Sequence, residues 1–168
     1  EEIGIASNYS GMRFWSPEFI IKEFKKLFKL GVYTIKITDE MFLLNQKYYL
    51  PLCEALAKEN EDDKLKMWAY SRIDTVKRPE ILKKVRKAGI KWLCLGIESG
   101  NKIIRKEVSK GSFKDVKVEE VVREIQNHDM YVLGNYIFGL PEDNLETMHD
   151  TLNMAIEMPT EHANFYAC

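Results

Sequence analysis

The sequence has 168 residues, of which 45% are hydrophobic and 30% charged, a composition typical of one folded domain with a sizeable core. A formal net charge of −1 gives no broad attraction for nucleic acid or an anionic membrane, so small molecules and proteins are the expected partners. Apolar runs such as 92–95 and 136–140 are far too short to span a bilayer. The scattered cysteines Cys53, Cys94 and Cys168 favour a reducing compartment, hence the cytoplasm, over a disulfide framework.

The first predicted helix runs from about residue 17 to residue 30. Ser16 suits the N-cap, Pro17 suits the first helical position, and apolar residues follow at helical spacing. Gly31 can adopt the left-handed conformation that ends a helix. The β-branched residues that follow predict a strand at 32–38.

The same helix–strand unit recurs along the rest of the chain, and no linker or second domain interrupts it. Further helices are predicted at 48–59, 79–88, 116–127 and 145–158, and further strands at 65–71, 90–97, 130–138 and 163–167.

This alternation predicts parallel strands joined by right-handed crossovers, in either an open barrel or a doubly wound sheet. Because the strands are apolar for most of their length, both faces of the sheet are expected to be covered. In both architectures ligands bind at the carboxyl ends of the strands. The strand ends are therefore where chemistry is expected.

Polar and acidic residues follow four successive predicted strands. Loops are polar because they contact water, so any one of these residues alone is equally an ordinary loop residue. The repetition at four strand ends favours a ligand site at one rim of the sheet. The rim consists of Asp39, Glu40, Ser71, Arg72, Asp74, Glu98, Ser99 and residues 139–142.

Several common catalytic arrangements do not occur in the sequence. His128, His149 and His162 are expected on a helix surface or at the opposite rim, which argues against a histidine-rich metal site or a Ser–His–Asp triad. Neither of the common glycine-rich phosphate-binding motifs is present. Cys53, in a predicted helix, and Cys94, in a predicted strand, are expected to be inert packing residues.

Three stretches of the sequence together resemble a known family. They are LGIESG at 95–100, NYIFGLPE at 135–142, and RFWSPE at 13–18 followed by TDEMF at 38–42. In this order, and at strand ends, they resemble radical S-adenosylmethionine (SAM) enzymes, especially the group often fused to a cobalamin-binding domain. The resemblance runs through essentially the whole chain.

The resemblance implies an α/β fold, a partial (open) TIM-type barrel of parallel strands with outer helices. In that family six strands form the core, and a loop after the first strand carries C-x-x-x-C-x-x-C and a [4Fe–4S] cluster. No such motif occurs in this chain, so its five α/β units are expected to be the second to sixth strands of a single domain fragment, residues 1–168, with no metal ligand of their own. The first strand and the cluster loop are then expected before Glu1. A relative that has lost its cluster is the alternative.

The resemblance also assigns residues to the methionyl end of SAM. Asp39 and Glu40 match the position that helps to hold the ammonium group. Glu98 and Ser99 match the position that bonds the ribose or the methionyl part. Lys110 matches a basic residue that faces the carboxylate in some relatives, although a solvated loop lysine is the alternative interpretation.

Ser71 and Arg72 lie on a strand whose end also approaches SAM in the family. Arg72 has a second interpretation, a structural ion pair with Asp74 or Glu98.

Residues 135–142 resemble the adenine-side motif G-x-I-x-G-x-x-E, with Asn135 in place of the first glycine. In this motif Ile137 offers an apolar surface to the adenine ring. Gly139 and Leu140 form the turn whose backbone can read the edge of the adenine. The alternative is a tight strand-to-helix turn that requires glycine for structural reasons alone.

The function implied by the resemblance is reductive cleavage of SAM at the cluster to a 5′-deoxyadenosyl radical, for hydrogen abstraction or methyl transfer. The implied cofactors are SAM, the [4Fe–4S] cluster and, in the group with the additional domain, cobalamin. The implied partners are an electron donor and a substrate whose identity the sequence does not give. Two rivals remain, a barrel that binds a divalent cation through Asp39, Glu40 and Glu98, and a degenerate barrel without catalytic activity.

Overall fold

The computed structural model describes residues 13–76, 78–108 and 117–168. Its centre is one sheet of five parallel strands, which follow one another in chain order from β1 to β5. The strand order does not reverse at any point, so the open barrel is confirmed and the doubly wound sheet is wrong.

Except for one additional short helix at 102–108, the elements are close to those predicted from the sequence, with ends that differ by a few residues. The helices are α1 (Pro17–Lys29), α2 (Gln46–Glu59), α3 (Pro79–Lys87), α4 (Lys102–Val108), α5 (Val118–Asn127) and α6 (Leu145–Glu157). The strands are β1 (Thr34–Lys36), β2 (Lys66–Arg72), β3 (Ile90–Glu98), β4 (Tyr131–Phe138) and β5 (His162–Ala167).

Local sequence signals determine where the helices begin. The Ser16 side chain accepts a hydrogen bond from the backbone N–H of Phe19, as the N-cap prediction requires. Asn144 and Thr147 form a reciprocal capping box at the start of α6. These caps determine the residues at which α1 and α6 begin. No helix in the described ranges is long and apolar enough to cross a membrane.

The hydrophobic core lies between the outer face of the sheet and the helices. Met67, Leu93 and Val132 point outward from three neighbouring strands and are fully buried. Leu82 of α3 and Val122 of α5 belong to the same buried cluster. Burial of each such side chain stabilises the fold by about 1.5–3 kcal/mol relative to an exposed position.

The inner face of the sheet is half-buried and lines an open cavity, so among the described residues only the outer face is covered, and the prediction that both faces are covered is wrong. Residues of β2 alternate between half-buried inward positions and buried outward positions. Tyr70 and Arg72 of β2 point inward and line a cavity, and Asn135 of β4 does the same. The prediction failed because apolar outward positions and aromatic inward positions together give a strand an apolar appearance over its whole length.

Candidate functional site

A cavity of about 530 Å³ occupies the concave inner face of the half-barrel at the carboxyl ends of the strands. This volume is within the range of small-molecule sites. The predicted site residues that line it are Glu40, Ser71, Arg72, Glu98, Asn135 and Ile137. Asp39, Ser99, Gly139 and Leu140 lie near the same rim but do not line the cavity. Lys110 lies outside the described residues.

Glu98 is held in an unusual backbone conformation at the end of β3. Its φ of 69° is in the left-handed region, which a glutamate seldom adopts. The pairing of β3 with β4 shifts register between Gly96 and Glu98, which turns the carboxylate back over Gly96. Strain of this kind persists only where the surrounding structure enforces it, and it is frequent at functional sites.

The Glu98 carboxylate has no hydrogen-bond donor among the described residues. Burial raises its pKa above the ordinary value for glutamate, because no neighbouring donor offsets the lost hydration. A half-buried acceptor that faces a cavity without a partner is suited to an ammonium group or a hydroxyl group of a ligand.

Arg72 lines the cavity as part of an ion pair. Its Nε and Nη2 donate to the two carboxylate oxygens of Asp74 at 3.0 and 2.9 Å. Of the two structural partners considered from the sequence, Asp74 is therefore the one that Arg72 contacts, and Glu98 is not. The fork fixes the guanidinium plane against the cavity wall.

Asp39 and Glu40 are adjacent in sequence but differ in role. The Asp39 Oδ1 accepts the backbone N–H of Met41 at 2.9 Å, which fixes the turn after β1. Glu40 lines the cavity together with Met41. The turn held by Asp39 therefore positions Glu40, and only Glu40 is placed to meet a ligand directly.

Ser71 and Ser99 both hydrogen-bond to protein groups. The Ser71 Oγ lies 2.8 Å from the Thr75 Oγ1, at the edge of the cavity. Ser99 is fully buried, 3.3 Å from the Thr151 hydroxyl of α6, and accepts the backbone N–H of Asn101. The side chain of Ser99 thus joins the end of β3 to α6, outside the cavity.

The segment after β4 is a turn held by Asp143. Its Oδ2 accepts the backbone N–H groups of Gly139 and Leu140 at 2.9 and 3.0 Å. Gly139 has a φ of 81°, and Leu140 is buried. These two residues shape the turn, while Asn135 and Ile137, which precede them on β4, line the cavity.

Several cavity residues were missed by the sequence interpretation, which considered only the strand ends. They are Lys36, Thr38, Tyr70, Cys94, Gly96 and Tyr166. Strand alternation could have found most of them, because positions two and four residues before a rim residue share its inward direction. Cys94 is buried, as expected, but it lies against the cavity, and burial raises the pKa of its thiol to about 11.

Within the part of the chain that the structure describes, no three His, Cys, Asp or Glu side chains are grouped closely enough to hold a metal ion. The rival of a divalent cation held by Asp39, Glu40 and Glu98 therefore receives no support from the geometry. Asp39 is already engaged by the backbone of its own turn.

Comparisons with known proteins agree with the architecture. A family model described as the radical SAM superfamily matches residues 4–155, most of the chain. An anaerobic magnesium-protoporphyrin IX monomethyl ester cyclase from Cereibacter sphaeroides is 28% identical over 164 residues, which cover 93% of this chain and 27% of that protein. A hopanoid C-2 methylase from Rhodopseudomonas palustris is 29% identical over 138 residues, which cover 80% of this chain and 26% of that protein. The chain therefore spans about a quarter of the length of these relatives.

Two solved structures show the same fold. The radical SAM methyltransferase TsrM from Kitasatospora setae, with cobalamin and a [4Fe–4S] cluster bound, has a TM-score of 0.75 at 18% identity and covers 90% of this chain and 29% of its own. The cobalamin-dependent radical SAM enzyme OxsB has a TM-score of 0.65 at 20% identity and covers 85% of this chain and 22% of its own.

Proposed function

The chain belongs to the radical SAM superfamily, and we propose that its half-barrel is the SAM-binding part of an enzyme that reductively cleaves SAM. Enzymes of this superfamily use SAM and a [4Fe–4S] cluster. The observation that carries the proposal is the Glu98 carboxylate, which faces the cavity over Gly96 without a hydrogen-bond donor from the described residues. A ligand with several hydrogen-bond donors would supply the missing partner.

The cavity residues fit SAM. Glu40 and Glu98 offer acceptors for its ammonium group and its ribose hydroxyls. Ile137 offers an apolar surface for a face of the adenine, and Asn135 adds an amide at the same wall. When bound, SAM supplies a sulfonium whose reductive cleavage gives methionine and a 5′-deoxyadenosyl radical, and the protein orients and shields it.

The residues of this chain do not fit the cluster. Cys53 is buried in α2, Cys94 is buried on β3, and Cys168 is exposed after β5, so their order and spacing do not form the family's cysteine motif. We propose that a segment preceding Glu1 carries the first strand and the cysteine loop in the whole protein. The coverage of about a quarter of each relative supports this proposal.

We propose that the reaction is either hydrogen abstraction from a small molecule or methyl transfer to it. One relative is named a cyclase and another a methylase, which supports proposing both reactions. Cobalamin belongs to the proposal as a further cofactor because the similar structures of TsrM and OxsB contain it. The products distinguish the outcomes, because hydrogen abstraction yields 5′-deoxyadenosine and transfer of the SAM methyl group yields S-adenosylhomocysteine.

An electron donor is the proposed protein partner, since reductive cleavage consumes an electron. A cytoplasmic location is proposed because the described cysteines are free thiols, as expected in a reducing compartment. Activity in a cell extract supplemented with reductant, but not without it, would support the need for a donor.

Titration of the protein with SAM, followed by calorimetry under anaerobic conditions, tests the proposal. We expect saturable binding that weakens roughly tenfold or more in Glu98→Gln, because the neutral amide is a weaker acceptor for a cationic donor. Glu61→Gln is the matched control, since Glu61 is exposed in the loop after α2. Equal SAM affinity in the wild type and Glu98→Gln would contradict the proposal that Glu98 contacts SAM.

A further inference from the structure

Lys36 is an exposed cation at the cavity wall that the proposed SAM site does not use. It is the last residue of β1 and lines the cavity wall next to β2. Its Nζ lies 5.4 Å from the centre of the Tyr70 ring. Contact with the Tyr70 hydroxyl is the largest of the effects that raise the pKa of Lys36, so the ammonium group stays charged at neutral pH.

No acidic side chain in the described ranges forms a salt bridge with Lys36. Arg72, a second cation of the cavity, is paired with Asp74. The two cavity carboxylates, Glu40 and Glu98, are not within ion-pair distance of the Lys36 ammonium group. The Lys36 ammonium group therefore has no acidic partner among the described residues.

The groups around Lys36 are weakly polar rather than acidic. Tyr70 lies on the adjacent strand, and Cys94 lies next to Tyr70 on β3. Tyr166 of β5 is near enough to influence the pKa of Lys36, which shows that the curvature of the sheet brings the first and last strands to the same cavity. Hydroxyl groups and aromatic rings beside an ammonium group suit a planar organic anion.

The Lys36 pocket is separated from the Glu98 carboxylate. In the strand pairing Lys36 is level with Trp68 of β2 and Trp92 of β3, whereas the Glu98 carboxylate lies over Gly96, four residues beyond Trp92, which corresponds to roughly 13 Å along the strand at its usual rise. The group that meets Lys36, Tyr70 and Cys94 is therefore a different group from the one that meets Glu98. This part of the cavity is therefore available to the second reactant.

We propose that Lys36 and Tyr70 bind a carboxylate group of the substrate, so that the substrate class is a planar or aromatic organic acid. This inference rests on the proposed function. A single ammonium group and one hydroxyl group match the charge and the acceptors of a carboxylate. A phosphate dianion generally meets several backbone N–H groups or an arginine fork, and Arg72 is already engaged by Asp74.

The test compares benzoate with benzamide, its neutral isostere, as probes of the protein in ligand-observed NMR titrations. We expect benzoate to bind more tightly than benzamide to the wild type. The preference should fall about tenfold in Lys36→Met, and to a smaller extent in Tyr70→Phe, because a charge-assisted hydrogen bond is lost. Lys22→Met is the matched control, since Lys22 is exposed on α1 and the charge change is the same.

SAM and adenosine titrations of the same variants identify the source of the carboxylate. Unchanged affinity for both in Lys36→Met supports a carboxylate of the substrate. A loss for SAM with none for adenosine would assign Lys36 to the SAM carboxylate and overturn the inference. Equal binding of benzoate and benzamide to the wild type, or tighter binding of inorganic phosphate than of benzoate, would also overturn it. Failure of the wild type to bind SAM would instead contradict the proposed function. The SAM titration measures this separately from the benzoate titration.

Discussion

The Glu98 carboxylate lies against the Cα position of Gly96, so closely that a Cβ on Gly96 would be 2.5 Å from Glu98 Oε1. Gly96 is therefore needed for the space that its missing side chain leaves, because its own φ is not in the left-handed region. The left-handed strain falls on Glu98 instead. The pair links a glycine in the middle of a family motif to the direction of a carboxylate two residues later.

Gly96→Ala should impair SAM binding with little effect on stability. The added methyl group meets only the end of a flexible side chain, so the backbone can remain in place while the carboxylate moves away. We expect the SAM affinity to fall about tenfold, close to the loss in Glu98→Gln, because both remove the same acceptor from its position. Calorimetric titration and thermal unfolding of the same samples measure the two quantities.

Gly31→Ala is the contrasting control for this variant. Gly31 has a φ of 76° with open space around it, so alanine there introduces backbone strain alone, far from the cavity. It should lower the melting temperature and leave SAM affinity unchanged. If Gly96→Ala behaves like Gly31→Ala, the proposed link between Gly96 and the carboxylate is contradicted.

Glu98 also gives a prediction for pH. Burial raises its pKa in the folded state, so the folded protein binds the proton more tightly than the unfolded chain. The free energy of unfolding consequently falls as the pH rises through the pKa of Glu98 in the folded protein. Below the pKa of Glu98 in the unfolded chain this loss is absent. Glu98→Gln should therefore be more stable than the wild type at neutral pH, and this advantage should disappear at acidic pH.

Thermal unfolding across a pH series, with SAM titrations at the same pH values, measures both consequences. The affinity of the wild type for SAM should decline in acid at a higher pH than an ordinary glutamate would give, because the protonated carboxyl attracts an ammonium group poorly. Lower stability of Glu98→Gln at neutral pH would instead mean that the carboxylate has a stabilising partner in the protein.

The sequence predicted most of the fold because the helix and strand signals were repeated and consistent. Ser16 and Gly31 marked the ends of α1, and apolar residues at helical spacing marked its buried side. The sheet order followed from the alternation of elements and the handedness of crossovers. β1 is shorter than the predicted 32–38, since an edge strand has a single neighbour in this sheet and apolar composition does not reveal where pairing stops.

The site was predictable as a rim, but the direction of individual side chains was not. Asp39 and Glu40 both matched a ligand position, and only a hydrogen bond to the backbone of Met41 separates their roles. Ser99 matched as well as Glu98, yet the bulge at the end of β3 directs Ser99 to α6. A local register shift of this kind depends on the pairing of two strands and has no pattern in the sequence.

Glu40→Gln and Asp39→Ala should therefore have different effects. Glu40 lines the cavity, so its change should weaken SAM more than adenosine, which lacks the ammonium group. Asp39 holds its turn, so its change should lower the affinities for both ligands by a similar and smaller factor through a looser loop. The ratio of SAM to adenosine affinity in each variant is the measurement. A selective loss for SAM in Asp39→Ala but not in Glu40→Gln would show that Asp39, rather than Glu40, meets the ammonium group.

Ser99 provides the last prediction, because a structural role and a ligand role give opposite results. Its Oγ lies 3.3 Å from the Thr151 hydroxyl, which accepts the backbone N–H of Gly100 at 2.9 Å and donates to the carbonyl of Thr147. Ser99→Ala and Thr151→Val should each lower the free energy of unfolding by about 1–3 kcal/mol, because buried polar groups lose their partners.

In chemical unfolding the double variant Ser99→Ala with Thr151→Val should lose less than the sum of the two single losses, since both changes break the same hydrogen bond. SAM affinity of folded Ser99→Ala should remain close to that of the wild type, because the serine side chain is fully buried outside the cavity. A tenfold loss of SAM affinity at unchanged stability would show that Ser99 bonds the ligand, as the family motif alone suggests. Additive losses of stability would instead show that the hydrogen bond between Ser99 and Thr151 contributes nothing to holding α6 against the end of β3.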